Sequence, residues 1–417
     1  MSRRIIDNRL YSPLHVIVVL VVIFLFYACG NDNRTKEKRQ SLVSENVEID
    51  NALYERLVEF AAKPRAKGNF GFFVYDLTAD KPVYGVNENV AQSSASCLKL
   101  LSGVAGLQLL GTKYLYTTSL YTCGTVSDGI LHGDLGFRAD LDPQLQGTDF
   151  TMFAKELKRR GIKKISGKIR LDLLLHKPVQ SEKHWYPWDL SFSHYSILYK
   201  GAPRVIRDFK SSLRLYGIQV ADNQFVIAKI SKKFHCIFRF YRSIDRVTRR
   251  MWKNSSNTQA TSMLYTIGHR VNPDIEPTTA GVQYLKTFLK DTLQLHDSTL
   301  VVHDGCGLCT HNHLSPVALT AILRYGYQHK SIFRMLYNQL SIAGVDGTLR
   351  REMSSSKLRG KVRAKTGTLS HPYGISSLAG YCIGSNGHLL AFAIMDTDMS
   401  VLDARVLQRK LCEALVQ

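Results

Sequence analysis

Residues 94–111 have the sequence SASCLKLLSGVAGLQLLG. After its first residues it is apolar on nearly every face, and it ends at Gly111, a typical residue to follow a helix. Such a pattern predicts a helix buried in the middle of a domain. A polar start is unusual for a buried helix, so Ser96 and Lys99 are candidate functional residues.

Three short motifs stand in order along the chain: Ser96-x-x-Lys99, Ser255-x-Asn257 and Lys365-Thr366-Gly367. Residues three apart on a helix share a face, so the Lys99 amine can reach the Ser96 hydroxyl. The helix N-terminus favours a developing negative charge there. A lysine buried near a second lysine is disfavoured as ammonium, and its neutral form can accept the serine proton. The pattern predicts a serine nucleophile that needs no histidine.

This motif set is typical of penicillin-binding proteins and class A β-lactamases. Ser96 and Ser255 are 159 positions apart, a far longer gap than in a class A β-lactamase. From about Val47 onward the chain resembles the D-alanyl-D-alanine carboxypeptidase/endopeptidase family called penicillin-binding protein 4, which inserts a module between these motifs. Further segments carry the resemblance: Gly133-Asp134-Leu135, Asp142-Pro143, Leu314-Ser315-Pro316, residues 343–349, residues 362–369 and residues 378–381.

The resemblance implies a role for each motif residue. Ser96 attacks the carbonyl of the D-Ala-D-Ala bond, and Lys99 takes its proton. Ser255 relays a proton to the leaving amine, and Asn257 holds Lys99 and the substrate amide. The remaining implied site residues bind the substrate's terminal carboxylate or line the same strand: Lys365, Thr366, Gly367 and Thr368. The backbone N–H groups of Ser96 and Thr368 form the oxyanion hole.

Asp142 is a further candidate substrate-binding residue, for a free amine on the stem peptide. Its alternative explanation is an exposed Asp-Pro turn. The resemblance implies no metal and no cofactor.

The expected fold is α+β, a helix-flanked antiparallel sheet of the transpeptidase/β-lactamase type. Residues 47–111 and 200–417 form the catalytic domain, and residues 112–199 form a small inserted α+β domain. Apolar spacing predicts helices over residues 203–217 and 243–268, and a strand over residues 360–365.

The N-terminus indicates export. Arg3, Arg4 and Arg9 precede a thirteen-residue apolar run, Val16 to Ala28, which suits a secretory signal better than a membrane span. Ala28-Cys29 resembles the cleavage site of bacterial lipoproteins, although Phe26 stands where Leu is common. We expect residues 1–29 to be a signal ending at a lipidated Cys29, and residues 30–46 to be a flexible tether. The alternative is an uncleaved anchor; either way the folded part faces the periplasm.

The net charge is +21 on 417 residues, from 55 Lys and Arg against 34 Asp and Glu. Removing residues 1–28, which hold three arginines and one aspartate, leaves +19. With 45% hydrophobic and 21% charged residues, the composition excludes a mainly disordered chain. Because the folded part is exported, an anionic wall or membrane surface is a more plausible partner than nucleic acid.

The expected function is a penicillin-sensitive serine D-Ala-D-Ala carboxypeptidase, with DD-endopeptidase activity as an extension. Its partners are peptidoglycan stem peptides, with β-lactams as covalent inhibitors. One alternative is a serine β-lactamase, against which no Glu-x-x-Leu-Asn segment is found to position the water. The other is a catalytically silent wall-binding relic of the same fold.

One segment departs from the family. Asp304-Gly-Cys306-Gly-Leu-Cys309-Thr310 stands where the family usually has Asp-Gly-Ser-Gly-Leu-Ser-Arg. Cysteines beside histidines at 303, 311 and 313 also suit zinc or redox chemistry. The gap-free match to a loop that binds no metal favours a disulfide or two free thiols.

Overall fold

The computed structural model describes residues 48–63, 67–370 and 374–417. The predicted signal with Cys29 and the whole predicted tether lie outside these residues. No helix in the described ranges is long and apolar enough to cross a membrane.

A six-stranded antiparallel sheet joins the two ends of the described chain. With strands numbered along the chain, its order is β11 (Ser341–Ile342), β12 (Val362–Leu369), β13 (Ile375–Ile383), β14 (Leu389–Thr397), β1 (Asn69–Asp76) and β2 (Lys81–Val86). The predicted strand over residues 360–365 thus runs on to Leu369. A two-stranded sheet pairs β3 (Gln92–Ser93) with β10 (His313–Leu314).

Helices cover both faces of this sheet. Successive residues of β14 point to opposite faces, so Leu390, Phe392 and Ile394 enter one apolar core and Ala391 and Ala393 enter another. The first core includes residues of the terminal helices α1 (Asn51–Ala62) and α10 (Val401–Val416). The second includes α2 (Leu98–Leu110) and α8 (Pro316–Gln328). The predicted helix-flanked antiparallel sheet is confirmed.

Helix α2 is the predicted buried helix, and it ends at Gly111 in a left-handed conformation (φ 83°). Its neighbours include α5 (Ile244–Lys253), α6 (Asn257–Val271), α7 (Pro277–Thr287) and α9 (Lys330–Gln339). A π-helical turn, Phe288–Thr292, extends α7. Gly103 of α2 packs so tightly against Trp252 that a methyl group there would lie 2.4 Å from the indole.

The single helix predicted over residues 243–268 is in fact two. The chain leaves α5 after Lys253 and enters α6 at Asn257, with Ser255 between them at φ 57°. A serine at positive φ cannot continue a helix. The break places the Ser255-x-Asn257 motif in a turn.

A second sheet lies in the inserted part of the chain, in the order β8 (Phe225–Ile227), β7 (Ile169–Leu173), β5 (Ile130–Ala139), β4 (Leu115–Ser127) and β9 (His235–Ser243). Strand β6 (Lys164–Ile165) also pairs with β5. Helices α3 (Phe150–Arg159) and α4 (Gly201–Leu215) bury Phe150, Phe153 and Phe209 against Phe137 of β5. Short 3-10 turns occur at Ala95–Cys97, Gly147–Asp149, Pro187–Tyr195, Ile197–Lys200, Asp222–Gln224 and Gly347–Leu349.

This sheet corrects the predicted end of the insertion at residue 199. Strand β9 is the antiparallel neighbour of β4, and Val205, Phe209 and Leu213 of α4 belong to the same core as β5. The inserted part therefore reaches Ser243. The pairing joins segments more than one hundred residues apart, so periodicity along the chain does not reveal it.

Candidate active site

Ser96 lies in the 3-10 turn that leads into α2, where the central helix meets strand β12. Ala95 before it has φ 43°, an unusual conformation for alanine. Gly367 of β12 lies against this turn, and a methyl group there would be 2.5 Å from the Ser94 carbonyl oxygen. Close backbone packing therefore positions Ser96. Cys97 beside it is fully buried, and burial raises the pKa of its thiol, as suits a packing residue.

Lys99 is fully buried one turn along α2. Its Nζ lies 2.8 Å from Ser96 Oγ, 2.8 Å from Asn257 Oδ1 and 2.5 Å from the Cys306 carbonyl oxygen. Burial lowers the pKa of Lys99, which favours the neutral amine. A neutral amine has two N–H donors, which match Asn257 and Cys306, and one lone pair, which is left for the Ser96 hydroxyl proton. This geometry is that of a general base.

Lys365 is the second buried lysine of the site. Its Nζ donates to Ser255 Oγ at 2.8 Å and to the Thr366 carbonyl at 2.6 Å. Burial lowers the pKa of Lys365 to about 7, and repulsion by the protonated form of Lys99 acts in the same direction. The break between α5 and α6 brings Ser255 to this amine and Asn257 to Lys99. The turn between α5 and α6 thus provides a hydrogen-bond partner for each of the two lysines.

Strand β12 offers an open edge beside Ser96. Strand β11 pairs only with Arg363 and Ala364, which leaves the residues from Lys365 onward unpaired on that side. The Thr366 carbonyl points to this side, because it accepts from Lys365 Nζ. Backbone groups alternate in direction along a strand, so the Thr368 N–H points the same way. The edge can bind a substrate backbone.

A cavity of about 330 Å³ opens along this edge. Among its lining residues are several of the predicted site residues: Ser96, Ser255, Thr366, Gly367 and Thr368. The structure thus brings together all the residues of the three motifs, with Lys99, Asn257 and Lys365 behind this surface.

Sequence reasoning missed three features of the site. Thr348 lines the cavity and accepts a hydrogen bond from Thr366 Oγ1 at 2.8 Å. Arg405 of α10 also lines it and pairs with Glu352 at 3.0 Å. The third is the Cys306 carbonyl, which has no signal in the side-chain sequence. The segment 343–349 carried the family resemblance, and that was the only pointer to Thr348.

The structure corrects the expectation for Asp142. Its carboxyl group is 1% exposed and lies 3.0 Å from Arg242 Nε through both oxygens. It also accepts the backbone N–H of Gln144. An acid that is buried and already paired cannot bind a substrate amine. The partner, Arg242, lies on β9, which sequence reasoning placed outside the inserted domain.

Cys306 and Cys309 are both buried free thiols. Burial raises the pKa of each, that of Cys309 to about 11, so neither is a thiolate at neutral pH. The fold adds His184 to the neighbouring histidines, with its ring 5.0 Å from that of His303 and 4.4 Å from that of His311. In the described ranges, no three His, Cys, Asp or Glu side chains are placed to hold a metal ion.

Comparison with known proteins decides the family. The model of the D-Ala-D-Ala carboxypeptidase 3 (S13) family matches residues 53–198 and 198–416. The chain belongs to this family. As an S13 member it is a serine peptidase, and the resemblance read from its motifs is confirmed.

Named relatives agree with this membership. The D-alanyl-D-alanine carboxypeptidase DacB of Haemophilus influenzae is 22% identical over 78% of this S13 chain and 84% of its own length. The crystal structure of penicillin-binding protein 4 from the same organism has a TM-score of 0.72 at 19% identity, covering 87% of this chain and 98% of that one. A predatory endopeptidase of Bdellovibrio bacteriovorus has a TM-score of 0.59 at 17% identity, covering 84% and 93%.

Proposed function

We propose that this S13 protein is a penicillin-sensitive serine D-Ala-D-Ala carboxypeptidase that acts on peptidoglycan stem peptides through an acyl-enzyme on Ser96. The observation that carries the proposal is the arrangement around Lys99. Its amine is buried, is held by two acceptors and has its third contact on the Ser96 hydroxyl. Family membership supplies the substrate class.

Acylation follows from this geometry. Ser96 Oγ attacks the carbonyl carbon of the penultimate D-alanine while its proton moves to Lys99 Nζ. The N–H groups of Ser96 and Thr368 stabilise the oxyanion. The C–N bond then breaks, and the proton that Lys99 took from Ser96 passes to the leaving nitrogen through the Ser255 hydroxyl, which lies 2.8 Å from Lys365 Nζ. Lys99 is then neutral again. The terminal D-alanine leaves as the free amino acid.

Lys365 and the two threonines Thr366 and Thr368 bind the terminal carboxylate of the substrate in this proposal. Water then attacks the ester carbonyl and gives a proton to the neutral Lys99. As the ester C–O bond breaks, Lys99 returns this proton to Ser96 Oγ, and the shortened peptide leaves as the carboxylic acid. Every proton that leaves one group has an acceptor among the residues of the site, so no metal is required.

The decisive experiment is mass spectrometry of the full-length protein after incubation with penicillin. We expect one penicillin added on Ser96 and none on the Ser96→Ala variant. The same two proteins are then given a peptide ending in D-Ala-D-Ala, and released D-alanine is measured. An unmodified protein that also releases no D-alanine contradicts the proposal.

The lifetime of the penicillin adduct separates a carboxypeptidase from a β-lactamase. An adduct that lasts minutes supports the carboxypeptidase, and one that is lost within milliseconds supports the β-lactamase. Wall binding without release of D-alanine indicates the silent relic. Cleavage of a D-Ala cross-link between two stem peptides tests the endopeptidase extension, in which the leaving amine belongs to a second peptide.

For the location of the protein, we propose a periplasm-facing lipoprotein anchored through Cys29. The basis is the arginine-flanked apolar run and the Ala28-Cys29 pair. Mass spectrometry of the mature N-terminus tests it, with a diacylglycerol-modified Cys29 expected and its loss in Cys29→Ser. An N-terminus that retains residues 1–28 contradicts it and supports the uncleaved anchor.

A further inference from the structure

Asp304 is a buried acid behind the active site, with 1% of its surface exposed. None of the ion pairs formed by the described residues includes it. Five N–H groups donate to its carboxylate instead: the backbone N–H groups of Cys306, Gly307 and Cys309, and the side chains of Asn312 and Trp185. Their distances are 2.6 to 3.1 Å. Such a set of donors compensates a negative charge without a cation.

These hydrogen bonds wrap the segment 304–312 around the acid. Asn312 adds to the wrap, because its side chain also donates to the Cys309 carbonyl and accepts from the His303 N–H. Asp304 is thus the centre of the loop. A carboxylate can do this because it accepts several N–H groups from a range of directions.

The carbonyl groups of the loop point outward to the central helix. The Cys306 carbonyl accepts from Lys99 Nζ at 2.5 Å, and the Gly305 carbonyl accepts from Ser102 Oγ at 2.7 Å. Two successive residues of the loop therefore contact residues three apart on α2. The position of the Lys99 amine depends directly on how the loop is held.

We propose that Asp304 is a positioning residue for Lys99, which it serves by holding the Cys306 carbonyl against the amine and by placing a buried negative charge behind it. The inference rests on the proposed function, in which Lys99 accepts the proton of Ser96. Asp304 itself touches neither Ser96 nor the cavity.

The negative charge of Asp304 and the burial of Lys99 have opposite effects on the pKa of Lys99. Burial lowers the pKa of Lys99, and the negative charge of Asp304 opposes this change. Other titratable groups face the two residues: Lys365, Cys97 and Cys306 around Lys99, and Glu182, Asp189, His303 and Cys309 around Asp304. Cys97, Cys306 and Cys309 are neutral thiols at neutral pH, since burial raises the pKa of each.

The test is the pH dependence of acylation by penicillin, measured on the full-length protein and its variants. The acylation rate falls at low pH as Lys99 gains a proton, and this falling part of the pH profile is its acid limb. Asp304→Asn removes the negative charge, so the acid limb should move to lower pH, by roughly one pH unit. The rate at the plateau should also fall at least about tenfold, because the loop loses its acceptors. A purely structural role lowers the plateau without moving the limb.

Two further variants make the result specific. Asp189→Asn removes an acid that also faces Asp304 but caps a different turn, through the Tyr186 N–H, and it should leave the limb in place. Trp185→Phe removes one donor from Asp304 and keeps its charge. The less compensated charge should then move the acid limb to higher pH, opposite to Asp304→Asn.

An acid limb that stays in place in Asp304→Asn, or that moves equally in Asp189→Asn, overturns the inference. If Asp304→Asn does not fold, the Trp185→Phe variant is the test. An acid limb of Trp185→Phe that stays in place or moves to lower pH overturns the inference. Failure of penicillin to acylate the unaltered protein contradicts the proposed function instead.

Discussion

Gly307 lies directly against Ala95, the residue before the proposed nucleophile. A methyl group on Gly307 would lie 1.9 Å from the Ala95 carbonyl oxygen and 3.1 Å from the Ser96 nitrogen. Gly307 also has φ 79°, which side chains rarely adopt. The loop that holds Lys99 therefore also supports the turn that carries Ser96.

Gly307→Ala should displace this turn. We expect a loss of about 2 kcal/mol or more in stability, from left-handed strain and the clash, together with a fall of about 100-fold in the acylation rate. Gly217→Ala is the matched control, because Gly217 has φ 74° but open space around its Cβ position. It should lose only about 1 kcal/mol and keep the acylation rate. Urea unfolding and labelling with a fluorescent penicillin measure both; equal acylation rates contradict the prediction.

Lys99→Met should slow acylation by about 1000-fold, because Lys99 Nζ is the hydrogen-bond partner of Ser96 Oγ among the residues that the structure describes. Lys113→Met, at an exposed position just after α2, should acylate at the normal rate. The rate of covalent penicillin labelling compares the two. Normal labelling of Lys99→Met shows that Lys99 is not the base.

Lys365 should make substrate binding weaken as pH rises. Its pKa is lowered to about 7, so the amine is charged below that pH and loses its proton above it. The charged form attracts the terminal carboxylate of the substrate. The KM for a D-Ala-D-Ala peptide should therefore rise about tenfold between pH 7 and pH 8.5. The methyl ester of the same peptide lacks the terminal charge and is the control. A parallel rise for the ester contradicts the assignment.

The buried pair of Asp142 and Arg242 should support the fold and not the substrate. Arg242→Met leaves a buried carboxylate alone and should lose about 3 kcal/mol of stability at pH 7. Asp142→Asn in the same chain should recover most of this loss. The two single variants and the double variant form a cycle, measured by urea unfolding.

The pH dependence of Arg242→Met has a definite sign. Burial already raises the pKa of Asp142, and the loss of Arg242 raises it further. A raised folded-state pKa means that the folded form holds its proton more tightly, so the loss of stability should be smallest below about pH 4 and grow as pH rises. If Arg242→Met has unchanged stability but a higher KM for peptides with a free amine, the prediction is contradicted and Asp142 is a substrate-binding residue.

The motif residues and the buried central helix could be predicted from the sequence, and the family resemblance of the motifs implied the helix-flanked sheet. The first two depend on local spacing: Ser96 and Lys99 share a helix face, and the α2 stretch is apolar on nearly every face. Residues that share a face of a helix or strand can be recognised from their spacing, because the periods of helices and strands are set by backbone geometry.

The features that depend on contacts between distant segments became visible in the folded chain. The pairing of β9 with β4 set the end of the insertion, and the same strand brought Arg242 to Asp142. The Asp304 carboxylate acquired five donors, and the Cys306 carbonyl reached Lys99 across 207 positions. Backbone groups are the same at every residue, so no side-chain pattern shows which of them will face an active site.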